Sequence, residues 1–408
     1  MTSHEADRAD LVVVGAGPAG AATALGALDA DPTLRVLLVD RAAFPRDKSC
    51  GEGVAPHVLD LLAEVGVTGL LDDRTPVSRL RLVRGERGVE RVMERAAYVV
   101  PRTVLDARLV AAAQQAGATL VQDRVKSVDP APLDGGPVVL DLRDSGRVEA
   151  PVLVGADGAH SLVRRAVGRA PGPMALAIRG YAPVQPALVG AQVIAFGTVR
   201  QPAYAWSFDR GDGLANVGYG ETLTAGRVGA TRAELIERLE ELLPGATAGA
   251  GDWIGHHLPL SRPGWRPRRG RVLLVGDAAG LVNPLTGEGI FYAVATGLAA
   301  GRAAAQALRA GDPGSSGARY SRATRPLLAR HLRHTALAAS LCRSGPVLDA
   351  GLAASHDDQG VFDDLVELGL ARGRITTRLV RGLGAAGARQ LGPHLASLSP
   401  ARPSTQER

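Results

Sequence analysis

The 408-residue chain is 46% apolar and only 3% aromatic, which excludes intrinsic disorder, collagen-like repeats and a disulfide-stapled scaffold, and it is long enough to enclose a bulky cofactor. Its net charge of +6 comes from 47 basic residues, all arginine except Lys48 and Lys126, scattered among 41 carboxylates, so a solvated mixed-charge surface is expected and a nucleic-acid partner is not. Cys50 and Cys342 stand alone and far apart, without disulfide or zinc-ligand spacing, so no metal site is expected and a reducing cytosol fits.

Met1 to Asp10 is polar and runs straight into an apolar strand, which is not the order of a secretory signal. No apolar run reaches the roughly 18 to 20 residues that span a bilayer, so the expectation is a cytoplasmic protein with, at most, peripheral membrane contact. Leu11 to Val14 reads as a buried strand ending at Gly15-Ala16-Gly17-Pro18-Ala19-Gly20, with small residues at helical spacing to about Ala30. Arg35 to Val39 is a second strand, closing on Asp40 and Arg41 about twenty residues beyond the last glycine, where a ribose-binding acid belongs. In such a βαβ start Gly15 permits the turn, Gly17 lets amides approach a pyrophosphate beside Pro18 and Ala19, and Gly20 lets the helix pack on the strand.

Val54 to Val65 and Thr103 to Gln115 carry helical patterns, while Leu80 to Val83 and Val89 to Met93 read as strands joined by a Gly-containing turn. Val152 to Val154 is another buried strand, ending at Gly155-Ala156-Asp157-Gly158. From about Met174 to Leu260, short alternating strands such as Ala203 to Phe208 and Ala215 to Tyr219 indicate an inserted sheet. Arg271 to Val275 returns to the buried-strand pattern, ends on Gly276-Asp277 and leads into a long Ala-rich helix starting near Gly289. Beyond Pro313-Gly314 the chain reads as mostly helical, including Ala318 to Cys342 and Leu365 to Gln390, with Pro400 to Arg408 as a frayed tail.

The glycine turn alone fits NAD or FAD. Joined by Gly155-Ala156-Asp157-Gly158-Ala159-His160-Ser161 and Val275-Gly276-Asp277-Ala278-Ala279, it resembles the three FAD fingerprints of class A flavoproteins. That resemblance implies an α/β fold: a discontinuous, Rossmann-like FAD-binding domain of the p-hydroxybenzoate hydroxylase-like type, with an inserted antiparallel-sheet substrate domain and C-terminal helices. The expected FAD-binding parts are 1–75, 101–173 and 266–312, the substrate-domain strands and sheet 76–100 and 174–265, and the helical region 313–400. It also implies that Asp277, beside Gly276, holds the ribityl chain and that Asp157 with Gly158 lies near the pyrophosphate. Amides of the loop containing Pro284, Gly287, Gly289 and Ile290 would stabilise negative charge on the pyrimidine edge of the reduced flavin. Glu288 either complements the helix dipole or acts catalytically.

Phe44-Pro45-Arg46-Asp47-Lys48-Ser49-Cys50-Gly51-Glu52-Gly53, Asn283-Pro284-Leu285-Thr286-Gly287-Glu288-Gly289 and Pro202-Ala203-Tyr204-Ala205-Trp206-Ser207-Phe208 resemble the geranylgeranyl reductase family, which includes menaquinone-tail reductases. The aromatic motif of that family continues with proline, whereas Asp209 follows here. The resemblance implies hydride transfer from N5 of reduced FAD to a carbon–carbon double bond of a hydrophobic prenyl or natural-product substrate, with a proton reaching the other carbon. Arg46, Cys50, Gly51 and Arg102 are then expected at the cofactor, with a surface ion pair as the alternative for Arg102. Cys50 either has a pKa lowered by a nearby helix start, donating a proton or tuning the flavin, or is a small buried hydrophobe. Tyr204, Trp206 and Phe208 share one strand face, where they fill the core or form an apolar wall facing the flavin. Cys342 is expected to be structural, and His256 and His257 to point to opposite faces.

The same motifs admit two rivals, since fold does not fix chemistry. One is a monooxygenase (hydroxylase or epoxidase) or halogenase-like tailoring enzyme; a halogenase carries Trp-x-Trp-x-Ile where this chain has Tyr204, Trp206 and Phe208. The other is a non-catalytic flavin-binding electron-transfer or sensor protein. A single dinucleotide motif means no nicotinamide domain is expected, which leaves NAD(P)H, ferredoxin or another electron-donor protein open as the external reductant.

Overall fold

The computed structural model describes residues 8–130, 136–197, 202–223, 229–267 and 269–397. The expected tail Pro400 to Arg408 and most of the polar start before Asp10 lie outside them. In chain order the first stretch is β1 (Leu11–Val14), α1 (Pro18–Ala30), β2 (Val36–Asp40), β3 (Gly53–Val54), α2 (Pro56–Ala63), β4 (Val77–Arg84), β5 (Arg87–Val99) and α3 (Arg102–Gln115). It is followed by β6 (Thr119–Gln122), β7 (Val125–Asp129), β8 (Val138–Leu142), β9 (Arg147–Ala150), β10 (Val152–Gly155) and α4 (Leu162–Ala166). The middle of the chain holds β11 (Met174–Pro183), β12 (Ala191–Phe196), β13 (Ala203–Asp209), β14 (Leu214–Thr222), α5 (Arg232–Leu242) and β15 (Gly251–Pro259). Last come β16 (Val272–Leu274), α6 (Ile290–Arg309), α7 (Ser316–Leu328), α8 (His331–Leu341), α9 (Gly345–Asp357), α10 (Gln359–Leu370) and α11 (Thr377–Ser397).

One sheet is parallel throughout, in the order β16-β10-β1-β2-β6. Its central strands are near-continuous Val and Leu runs because helices or strands cover both faces. On one face α1 packs against α6 backbone to backbone; a Cβ on Gly301 would lie 2.0 Å from the Thr23 carbonyl oxygen, so glycine is what lets the two helices meet. A second sheet has the order β15-β11-β14-β13-β12-β4-β5-β3, antiparallel except for β12 beside β4. That parallel pairing joins the strands of residues 77–99 to those of 174–259 in one eight-stranded surface. The α/β architecture expected from the motifs, a parallel sheet beside an inserted, largely antiparallel one with C-terminal helices, is therefore present.

Several elements differ from expectation. A three-stranded sheet, β7-β8-β9, was not foreseen; its first hairpin is pinned by Asp123, whose carboxylate accepts amides of Arg124, Arg143, Asp144 and Ser145. Burial alone would raise that acid, but these donors hold it at about 2. Val54 pairs with β5, and its helix begins only at Pro56, which suits the first helical position. The helix expected from Ala318 to Cys342 is two, α7 and α8, with Pro326 withholding a backbone donor near the break. The helix expected from Leu365 to Gln390 is interrupted between Leu370 and Thr377. There Gly373 turns back on α10, its amide donating to the Glu367 carbonyl at 3.0 Å; a Cβ on it would lie 2.1 Å from the Leu368 amide.

Candidate functional site

A cavity of about 1600 Å³ extends from the β1–α1 turn, along the face of the eight-stranded sheet, to the C-terminal helices. All the site residues expected from sequence line it except Gly20 and Gly276. Those two lie behind its wall: a Cβ on Gly20 would meet the Gly15 carbonyl oxygen at 1.8 Å, and one on Gly276 would crowd Ala19 and Ala293.

At the turn, Gly15 has φ of +98° and its amide donates to the Val39 carbonyl. Gly17 caps α1 without a side-chain bond, and the first turn contains no acid, so the amides at the helix start are open to an anion. Two guanidiniums stand over that position. A Cβ on Gly17 would lie 3.3 Å from Arg46 Nη2 and 3.8 Å from Arg102 Nη2. Arg102 is buried and clasps Asp106 in a two-pronged pair at 2.6 and 2.8 Å, while Arg46 reaches the same carboxylate at 3.2 Å. The surface ion pair offered as the alternative for Arg102 is thus replaced by an interior one. One carboxylate faces two guanidiniums and a helix N-terminus, leaving the local charge positive. Asp40, at the end of β2, accepts the Ala16 amide at 2.8 Å and the Ala42 amide at 2.9 Å and keeps lone pairs directed to the cavity, where Arg41 also lies.

Further along, Asp277 pairs with Lys48 at 3.3 Å. Burial favours its neutral form, but Lys48 and His256 outweigh that and keep the carboxyl below its ordinary range. Burial and Lys48 together push His256 down to about 4. His256 and His257 make no joint pair, yet both rings meet His160 edge to face, at 6.3 and 5.3 Å. Asp157 bonds the Ser161 hydroxyl and the Leu162 and Val163 amides at the start of α4, and its burial raises its pKa. The loop Asn283–Gly289 is braced from the C-terminal helices: Asn283 Nδ2 donates to the Leu368 and Gly369 carbonyls, and Thr286 Oγ1 to Gly369 at 2.7 Å. Tyr204 donates to the Thr286 carbonyl. Glu288 accepts the Phe291 amide at 2.8 Å and is pushed by burial up to about 7.

Cys50 sits opposite the aromatic strand. Its thiol accepts the Glu52 amide at 3.3 Å, and burial raises its pKa even though Arg102 pulls it down. This overturns the expectation of a lowered pKa: α2 starts six residues later, too far for its N-terminus to act on the sulfur. Tyr204, Trp206 and Phe208 do share one face of β13 and line the cavity. Trp206 lies over Gly218, where a Cβ would come within 2.2 Å of the indole, and its Nε1 donates to Asn216 Oδ1 at 2.8 Å. Asn216 Nδ2 in turn donates to the Cys50 carbonyl at 2.9 Å, so one buried amide side chain ties the aromatic wall to the cysteine loop.

The sequence reading overlooked several of these groups. Lys48 is one of only two lysines and stood inside a motif already singled out. Glu52 is fully buried at a positive φ of 62°, bonded to Tyr181 and the Arg102 amide, with Oε2 unpartnered. Arg179, also fully buried, pairs with Asp47 at 2.6 Å and lies over the Tyr181 ring. The apolar half of the cavity, with Leu348, Leu352, Val366, Leu379 and Leu383 opposite Leu82 and Ile194, could not be foreseen from local pattern, and Cys342, expected to be structural, also lines it, its thiol pushed by burial up to about 11. Among the described residues no His, Cys, Asp and Glu group is arranged to hold a metal ion. A cradle with a glycine-lined anion end, a ribose-facing acid and a flat aromatic wall fits a long dinucleotide beside an apolar ligand.

A family model described as an FAD binding domain matches residues 8–335. The chain is similar to the menaquinone reductase of Mycolicibacterium smegmatis, 34% identical over 362 residues, covering 79% of this chain and 81% of that one. It is likewise similar to digeranylgeranylglycerophospholipid reductase 1 of Methanopyrus kandleri, 34% identical over 326 residues, covering 75% and 83%. A geranylgeranyl bacteriochlorophyll reductase-like protein from Thermoplasma acidophilum shares the fold with a TM-score of 0.76 over 95% of this chain and 99% of its own, at 21% identity.

Proposed function

We propose, on the premise that this chain belongs to the FAD-binding family that includes the menaquinone and digeranylgeranylglycerophospholipid reductases and is an FAD-dependent oxidoreductase, that its substrate is a prenyl-bearing lipid or quinone whose carbon–carbon double bonds it reduces. The observation that carries this reading is the continuity of one cavity from the glycine turn to a long apolar lumen, a shape that suits a polyprenyl tail lying beside a flavin. FAD bound there and reduced would supply a hydride from N5. The amides of Gly17 and Ala19 with Arg46 and Arg102 would hold the pyrophosphate, Asp40 the ribose, Asp277 the ribityl chain, and the Pro284–Ile290 loop the pyrimidine edge.

The chain's own groups then do three things. Tyr204, Trp206 and Phe208 press the alkene flat and exclude water. Cys50 Sγ keeps its proton because burial disfavours the thiolate, and gives it to the alkene carbon that does not receive hydride. Arg102, close enough to lower the pKa of that sulfur, stabilises the thiolate left behind. The lipid tail reaches the cavity by contact between the protein and a membrane surface.

The deciding experiment is anaerobic incubation of dithionite-reduced enzyme with a prenylated quinone or a geranylgeranyl phospholipid, followed by mass spectrometry. A product two hydrogens heavier is expected. A product that forms only with dioxygen, one oxygen heavier, would replace the reductase reading by the monooxygenase one.

A further inference from the structure

Among the described residues of the C-terminal helices, Leu337, Leu341 and Val380 are large aliphatic side chains at 52%, 44% and 57% exposure, and all three also line the cavity. They mark its mouth, where the apolar lumen of the reading above meets the surface. Two long stretches frame that mouth and contain no carboxylate: Pro313 to Leu348 has six arginines and no Asp or Glu, and Leu368 to Gln390 has five arginines and no Asp or Glu. The segment between them, Asp349 to Glu367, carries six carboxylates, so the positive charge belongs to these two stretches and not to the C-terminal helices as a whole.

The two stretches meet in space. The Ile375 amide donates to His334 Nδ1 at 2.9 Å, fastening the start of α11 to α8. Burial together with the charges of Arg374, Arg333 and Arg330 lowers the pKa of His334, so these three arginines lie near the side chain that joins α8 to the start of α11. Arg378 and Arg389 are spoken for by Asp364 and Asp357. Arg330, Arg333, Arg343, Arg374 and Arg381 are exposed and have no acidic partner among the described residues. Among the described residues no helix is long and apolar enough to cross a membrane, and an apolar patch within a ring of unpaired arginines suits the plane of an interface.

We propose that α8 and the beginning of α11 dock this protein on the surface of an anionic phospholipid bilayer, with Leu337, Leu341 and Val380 in the acyl boundary and the arginines over the phosphates. The unpaired arginines fix the orientation: they are drawn to the anionic surface, and because they flank Leu337, Leu341 and Val380 the cavity opens into the lipid. A tail then passes from bilayer to lumen without crossing water. The inference rests on the proposed function only for what enters the mouth.

The test is co-sedimentation of full-length, FAD-loaded protein with vesicles of phosphatidylcholine alone or mixed with phosphatidylglycerol. Binding to the mixed vesicles is expected, weaker by roughly tenfold on phosphatidylcholine and weakened by salt. Leu337→Asp with Leu341→Asp, and separately Arg333→Glu with Arg343→Glu and Arg381→Glu, should each lower the partition at least about tenfold with flavin absorbance and melting temperature retained. The arginine variant, remote from the lumen, should turn over detergent-dispersed substrate as the parent does. Vesicle binding that survives both sets of changes, or no binding by the parent, overturns the proposal. So does light scattering that shows a dimer abolished by Leu341→Asp, which would assign the patch to a second copy. Vesicle binding without alkene reduction would leave the docking surface standing and remove the proposed substrate.

Discussion

The two ends of the cavity are built by opposite means. At the β1–α1 end the cavity wall is mostly backbone: amides of a helix start, a left-handed glycine, and a carboxylate at a strand end, all within about thirty residues of sequence. At the α8–α11 end the wall is side-chain surface, contributed by four helices and by strands β4, β5 and β12, whose positions depend on one another. Backbone recognition tolerates almost no substitution because the atoms that bind are also the atoms that fold. An apolar lumen tolerates many, since shape and volume are what it supplies. The first end should therefore respond to mutation in affinity, the second in substrate selection.

The largest effect is expected from Gly17→Val. Gly17 has φ of −69° and ψ of −173°, ordinary extended values that valine adopts, so the fold should survive. Its Cβ would nonetheless stand 3.3 Å from Arg46 Nη2, in the space before the helix start, and FAD affinity should fall by roughly 100-fold or more, about 2.7 kcal/mol. Flavin titration of the purified apoprotein reads this, with the melting temperature as control; a variant that purifies yellow would show that the phosphates lie elsewhere.

Next comes Asn216→Leu, which keeps the volume but removes the acceptor of Trp206 Nε1 and the donor to the Cys50 carbonyl. Leaving buried partners unmatched costs about 1–3 kcal/mol, and turnover should drop roughly tenfold with flavin content unchanged. Unaltered turnover would mean that aromatic wall and cysteine loop hold their places independently.

These two residues also mark what could be read from the chain. Gly17 belongs to a strand–turn–helix whose chemistry is local, so spacing alone exposes it, and the same holds for Asp40 and Asp277 at strand ends. Asn216 lies in an unremarkable strand and acquires its role only when β13, β14 and the loop of Cys50 come together across 166 positions of sequence. Glu52 was within a singled-out motif, yet its burial depends on Tyr181 from β11. The break between α10 and α11 escaped notice because Leu and Ala continue across it; only the packing of Gly373 on α10 shows the turn. The sign of the Cys50 shift was missed for a related reason, since desolvation is a property of the assembled core and not of the distance to a helix.

A smaller effect tests the lumen itself. Gly351 lies in α9 and lines the cavity, and a Cβ there would make ordinary contact with Leu383 at 3.8 Å. Gly351→Leu should not weaken the helix, since leucine exceeds glycine in helix propensity by roughly 0.8 kcal/mol. It should shorten the space available to a tail, raising KM for the longest prenyl substrate roughly fivefold, about 1 kcal/mol, while shorter ones are unaffected. Equal changes for all lengths would mean that tails do not extend to α9.

The smallest effect lies where the two ends meet. Glu288 stands between the backbone-lined half and the apolar half, and its pKa rises from 4.5 to about 7 because burial outweighs the amides of Phe291, Ile290 and Gly289. A folded-state value above the unfolded one means that the native protein binds this proton more tightly. The resulting stabilisation is complete below about pH 4.5 and is lost as pH rises through 7. Glu288→Gln keeps an oxygen for the Phe291 amide but cannot ionise. Apoproteins of the two forms should melt together near pH 5, and the glutamine form a few degrees higher near pH 8, by roughly 2–4 °C per kcal/mol for a chain of this size or less. Parallel melting profiles would mean that Glu288 is already solvated or paired when ionised. The boundary between the halves would then be polar, and an alkene held there would meet water as well as the flavin.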